Sequence, residues 1–227
     1  MERSDQEIAE WRKRLRFMAD IVFATAMTIM ILNLEFQEMK DIADPKELSI
    51  FMLNQLSGMA VFFIAFMTVA VYWMKHLEHF GITLVVNQTY IWYQLLYLAF
   101  LMLIPFWSTY VGEAPDNVGF KLFLSLNMVL VGGFSYLSLH YGANPKHRLI
   151  SDHVSDEEIR KMKQQILSEP IIAILAAILV FINPLFWDLA FILVPILFIY
   201  SITSLWIKNA WNMPMEQEHQ ATIHKGK

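Results

Sequence analysis

Hydrophobic positions fall into long unbroken runs separated by short polar stretches, a pattern of membrane-crossing helices. Six spans are expected, near Phe17–Phe36, Leu48–Trp73, Thr89–Val111, Val118–Tyr141, Pro170–Asn183 and Leu185–Trp206. The fifth is short, ending at Asn183-Pro184, and is expected to tilt or lie partly in the interface. Polar punctuation sets the connections. Pro45 breaks any helix in the link Ala43–Glu47, His79–Asn87 joins spans two and three, and Gly112–Asn117 (GEAPDN) is a tight turn. Asn144–Ser168 is the largest connection. Within it Ser155-x-x-Glu158 reads as a capping box opening a short amphipathic helix to about Leu167, after which Pro170 restarts the chain as span five. Pro105 and Pro195 lie inside spans, where they kink helices.

The first span departs from a plain apolar run. Arg14 to Leu34, RLRFMADIVFATAMTIMILNL, carries Asp20, Thr25 and Thr28. An acid inside a membrane helix is costly and pairs with a cation or faces water, and Arg14 and Arg16 precede it by one to two turns. An ion pair that fixes helix packing is one reading of Asp20; direct coupling to a moving proton or ion is the other. Thr25, Thr28, Ile29, Leu32 and Phe36 share a stripe at three-and-four spacing. Small hydroxyls alternating with bulky apolar groups suit a narrow ion pathway with a hydrophobic constriction. Threonines in membrane helices also bond to their own backbone, and Ile29 and Leu32 alone would be ordinary apolar contacts.

Composition agrees: the 227 residues are 56% hydrophobic, far from a soluble domain. Charge sets orientation. With the N-terminus inside, 14 of the 17 lysines and arginines fall on the inner side, leaving Lys40, Lys46 and Lys121 outside. Both termini are therefore expected to be cytoplasmic. The outer connections carry Glu38, Asp41, Asp44, Glu47, Glu113, Asp116 and Asp188, a mild preference for cations. The N-terminus lacks the pattern of a secretory signal peptide. There is no cysteine, which excludes disulfides and thiolate chemistry. His76 and His79 lack a third ligand at metal spacing, so no metal or other cofactor is expected. No Walker motif, HExxH or nucleophile elbow is present, no acid–base cluster shares one depth, and a net charge of −4 offers nucleic acid no footing. An enzyme is not expected. No TVGYG loop appears, which excludes a carbonyl-lined filter. Gly132-Gly133 and Ala173, Ala176 and Ala177 mark close helix packing. The chain shows no repeat and no second domain, so residues 1–227 form one all-α, six-span unit. One polar-striped helix per copy makes a central pore only by symmetric assembly, so a homo-oligomer is expected.

A family resemblance sharpens this. Arg14-x-x-x-Met18-Ala19-Asp20 and the following IVFATAMTIMILNL resemble the RxxxFSD motif and first helix of the endosomal and lysosomal potassium channel family. Trp73-x-x-His76-x-x-x-Phe80 is similar to the family's WxxHxxxF, and Tyr93 to Gly112 (YQLLYLAFLMLIPFWSTYVG) resembles its third helix. The resemblance covers roughly the first half of the chain. It implies a homotetramer in a lipid bilayer, conducting potassium through a pore lined by first helices, here as a bacterial plasma-membrane protein. The family's hydrophobic constriction falls on Thr25, Ile29 and Leu32, its threonine layer on Thr28. A supporting network behind the pore falls on Arg14, Asp20, Trp73 and His76. Met18 and Ala19 replace the motif's Phe and Ser, Thr25 replaces an Ile or Leu, and Asn33 replaces an acid. A smaller polar Thr25 lowers the dewetting barrier at that level. The competing reading is a proton-coupled transporter that uses Asp20.

Overall fold

The computed structural model of the chain describes residues 5–32, 45–147, 149–193 and 196. All regular structure in them is helical: α1 (Asp5–Leu32), α2 (Pro45–Ile82), α3 (Gln88–Leu101), α4 (Leu103–Glu113), α5 (Val118–Gly142), α6 (Asp156–Leu179) and α7 (Pro184–Leu193). Three helical segments among the described residues are long and apolar enough to cross a membrane: Gln88–Glu113, Val118–Gly142 and Asp156–Leu179. The chain is a multi-pass membrane protein. The expected spans Phe17–Phe36 and Leu185–Trp206, and Pro195 itself, run partly or wholly outside the described residues.

Local chemistry sets the helix starts. Asn87 and Asn117 accept the amides of Tyr90 and Phe120 at 2.9 and 3.2 Å, capping α3 and α5. Ser155 and Glu158 form the expected capping box at the start of α6. The third span is broken at Met102, where α3 ends and α4 begins. Pro105 explains the break: it has no N–H for the Leu101 carbonyl and its ring crowds that carbonyl.

Two boundaries differ from the sequence reading. α2 runs 38 residues to Ile82, so the link to α3 is only 83–87 and His79 is helical. α6 does not stop near Leu167 and restart at Pro170; it passes through Pro170 as one helix. The physical reason lies on other helices. Gly132 of α5 leaves room for the proline ring, whose Cγ would stand 2.3 Å from a Cβ placed there. Lys75 of α2 donates to the Gln165 carbonyl in the adjoining turn, to Ser168 Oγ at 3.1 Å and to both Glu169 oxygens. Pro170 thus costs its helix less than an interior proline normally would.

The main core joins α1, α2, α3, α4, α5, α6 and α7, with Ala19, Phe23, Ala26, Val69, Leu101, Val131, Ala173 and Ala176 at or near zero exposure. Ala173 and Ala176 bring α6 close against its neighbours; Ala177 is half-buried. A second cluster of Leu15, Phe80, Val86, Tyr90 and Leu149 closes one end of the bundle. There the 83–87 and 149–151 connections are laced together, Leu84 N–H donating to Leu149 O at 2.8 Å and Ser151 N–H to Ile82 O at 3.1 Å. Leu15 brings α1 into this cluster, beside Phe80, Val86, Tyr90 and Leu149.

Candidate functional site

α1 is two-faced. Leu15, Ala19, Phe23, Ala26 and Met30, spaced by four, four, three and four, are buried against α2, α3 and α4. On the opposite side Phe17, Ile21 and Ile31 are 67%, 49% and 46% exposed, with Ala24 and Thr28 between them. Thr28 lies at the centre of this uncovered face. Thr25 and Ile29 sit at its edge and are half-buried. Leu32 is the last residue of α1; its side chain, and Phe36, lie outside the described residues. The Thr28 hydroxyl donates to the Ala24 carbonyl at 2.7 Å, one turn back. Its proton is spent on its own helix, so only oxygen lone pairs point outward.

Behind α1, two residues of α2 grip two of α1, each pair three apart and so on one face. Trp73 Nε1–H donates to Asp20 Oδ1 at 3.5 Å. His76 rests against Phe23, ring centroids 5.5 Å apart, and stacks on Tyr97 of α3 at 5.8 Å and 12°. Phe80 also stacks on His76, at 5.5 Å and 28°. The Tyr97 hydroxyl closes the knot by donating to Tyr72 O at 3.3 Å. His76 and His79 are both buried, and neither Nε2 has a hydrogen-bond partner.

Arg14 is not part of this knot. Its guanidinium pairs with Glu10 at 3.1 Å, both side chains being mostly exposed. The reason is helical geometry: residues six apart point to different faces, whereas Glu10 lies on Arg14's own face. The Arg14 option for the Asp20 ion pair is therefore corrected. Arg16, one turn before Asp20, is exposed, and the hydrogen bond to Asp20 comes from an indole. Arg12 supplies the other cationic contact, its guanidinium carbon 5.7 Å from the Phe80 ring centre.

Two charges counted as ordinary solvent-facing lysines are buried ties between helices. Lys75 pairs with Glu169 at 2.5 and 2.7 Å, with 14% and 6% of the side chains exposed. Lys121, fully buried, donates to Asp188 Oδ1 and Oδ2 at 2.8 Å each and to Pro184 O at 3.0 Å. The first ties α2 to α6, the second ties α5 to α7. A hydroxyl–amide chain, Thr83–Tyr90–Gln94–Ser138, with contacts of 3.1–3.2 Å, links the 83–87 connection, α3 and α5. Sequence reasoning missed the two ion pairs and the Gln94–Ser138 contact because the partners lie 94, 67 and 44 positions apart; a Glu–Pro pair inside an apolar run was the one local sign.

Comparison with known proteins bears on this arrangement. Residues 14–105 match the family model described as endosomal/lysosomal potassium channel TMEM175. The fold resembles the crystal structure of a lysosomal potassium-selective channel TMEM175 homologue from Chamaesiphon minutus, with 18% identity, TM-score 0.71, and 85% of this chain and 98% of that one covered. It also resembles a threonine-to-alanine variant of the potassium channel MtTMEM175, crystallised with a nanobody fusion, with 16% identity, TM-score 0.53, and 84% and 93% covered. No curated protein matches the chain.

Proposed function

We propose that this chain is a potassium-permeable cation channel, working as a passive leak, a reading supported by the match of residues 14–105 to the model of the endosomal/lysosomal potassium channel TMEM175 family. The carrying observation is the uncovered face of α1, apolar at Phe17, Ile21 and Ile31 and broken by Thr28. A single copy leaves this helix with packing on one side only. Four copies around an axis bring four such faces together, in a homotetramer embedded in a lipid bilayer.

In this reading Thr25, Ile29 and Leu32 form the constriction, and Thr28 forms the layer that favours potassium. Thr28 suits a cation because its hydroxyl proton is committed to Ala24 O and its lone pairs face away from the helix. Ile29 and Leu32 throttle flow by dewetting, without a carbonyl filter. Asp20, Trp73 and His76 hold α1 in register from behind. Both termini face the cytoplasm, as the distribution of lysine and arginine asks, and the membrane is a bacterial plasma membrane. No covalent chemistry and no cofactor enter; the permeant ion is potassium.

The test is flux through purified protein in a planar bilayer under opposed potassium and sodium gradients. A reversal potential shifted toward potassium, moved by Thr28→Ala, with conductance raised by Leu32→Ala, is expected. Unchanged currents in both variants would remove α1 from the pore. Saturable, proton-dependent uptake lost in Asp20→Asn would make the protein a transporter instead.

A further inference from the structure

At the end of the bundle carrying the Ala114–Asn117 turn, α2, α4, α5 and α7 part around a half-open cavity of about 280 Å³. Its walls include Ile64 and Ala65 of α2, Ile104 and Val111 of α4, Met128 of α5 and Phe191 of α7. The volume is just under the roughly 300–1,000 Å³ typical of small-molecule sites. From Ile104 to Gly112 the α4 wall runs about 12 Å at 1.5 Å per residue, the reach of a medium-length alkyl chain.

The polar groups of the cavity share one property: their donors are spent. Thr68 Oγ1 donates to Ile64 O at 2.8 Å and Ser108 Oγ to Pro105 O at 2.9 Å. Trp187 Nε1–H donates to Ser125 Oγ at 2.8 Å. Lys121 stands behind the wall with no exposure, its ammonium committed to Asp188 and Pro184. Among the described residues Asp188 is the one ionisable side chain in the lining, and 38% of it is exposed. Among the described residues the cavity therefore presents oxygen lone pairs, one carboxylate and aromatic faces, with no free side-chain donor. The Trp187 ring already has an ammonium 5.2 Å from its centre, that of Lys121, and stacks on Phe191 at 4.1 Å. Such surroundings accept a cationic donor and offer an anionic head nothing.

We propose that this cavity binds a cationic amphiphile, its alkyl tail between α2, α4 and α5 and its ammonium at the exposed part of the Asp188 carboxylate. The site lies apart from the uncovered face of α1, and binding is read without reference to ion flux.

The probe is decylammonium, titrated calorimetrically into the full chain in lipid nanodiscs, with decanoate as the anionic control. Saturable binding of one cation per chain is expected, at least ten-fold tighter than decanoate. Ala65→Phe fills the cavity and weakens binding at least ten-fold. Asp188→Asn keeps the shape and an oxygen for Lys121, and brings the two probes within about three-fold of each other. If either variant does not fold, the preference of the unaltered protein for the cation over decanoate decides alone. Equal binding of both probes to the unaltered protein, affinities untouched by the variants, or no saturable binding would each overturn the proposal.

Discussion

Gly132 and Gly133 are neighbours on α5, yet adding one methyl to each has opposite consequences. At Gly132 a Cβ would stand 2.3, 2.7 and 3.2 Å from Cγ, Cδ and Cβ of Pro170, against about 3.5–4.0 Å for comfortable carbon contact. The proline ring cannot rotate away, so α5 and α6 must separate by about 1 Å. Overpacking of this kind costs about 1–3 kcal/mol, and three clashing ring atoms put it near the top of that range. The better helix propensity of alanine returns about 1 kcal/mol, for a net loss of about 2. At Gly133 nothing lies within 4 Å, so Gly133→Ala keeps the propensity gain of about 1 kcal/mol. The two variants then differ by about 3 kcal/mol, or about 6–12 °C in melting temperature at about 2–4 °C per kcal/mol. Thermal unfolding in detergent, followed by circular dichroism, measures this. Adding Pro170→Ala to Gly132→Ala removes the ring, restores an N–H for the Ile166 carbonyl and should recover most of the loss. Equal melting temperatures for the two glycine variants would refute the close α5–α6 approach at Pro170.

Lys75→Met strands the buried Glu169 carboxylate and should lower stability by about 3–5 kcal/mol in the same assay, with Lys75→Met/Glu169→Leu recovering most of it; a double variant no better than the single would refute the tie. Trp73→Phe removes the donor to Asp20 while keeping an aromatic against α1, and should cost about 1 kcal/mol, with infrared difference spectra showing an altered Asp20 carboxylate; an unchanged carboxylate band would exclude the contact. Glu158 accepts the backbone and hydroxyl protons of Ser155, which holds its carboxyl below the ordinary value of 4.5. Its contribution to the start of α6 is therefore complete above that value and fades as pH falls through the lowered one, and Glu158→Gln should flatten this acid dependence in hydrogen exchange of the first α6 turn.

What was legible in the sequence was what depends on near neighbours. The capping box at Ser155 and Glu158 is spelled by residues three apart, and it forms as read. The turn after α4 announces itself through GEAPDN. Pro170 was misread as a break because its tolerance is decided elsewhere: room comes from Gly132, and Lys75 reaches Glu169 from 94 positions away. Lys121 was counted as an ordinary outer charge because hydropathy treats every lysine as solvated, while its partner Asp188 lies 67 positions on. Helix periodicity, in contrast, leaves open which face of α1 is covered. α1 carries one apolar stripe through Leu15, Ala19, Phe23, Ala26 and Met30 and another through Phe17, Ile21, Ala24 and Ile31, and both follow the helical repeat of three, four and seven.

Only packing separates those two stripes. The small residues Ala19 and Ala26 let α2 approach α1 closely, and Phe23 fills the space beside His76 and Tyr97. That choice turns Thr28 outward and Thr25 to the edge. An outward threonine on an otherwise apolar face would be a poor lipid contact if its proton were free, since hydrocarbon offers no acceptor. Bonding to Ala24 O removes that cost and makes the residue tolerable against lipid. The same bond leaves a pure acceptor toward whatever faces α1. Against hydrocarbon those lone pairs gain nothing, whereas a ring of them around an axis meets a partly dehydrated cation with several oxygens at once. The selectivity carried by Thr28→Ala is therefore the sharper measure of which surroundings α1 meets. Loss of a lipid-facing hydroxyl leaves the reversal potential where it was, and loss of an axial one moves it.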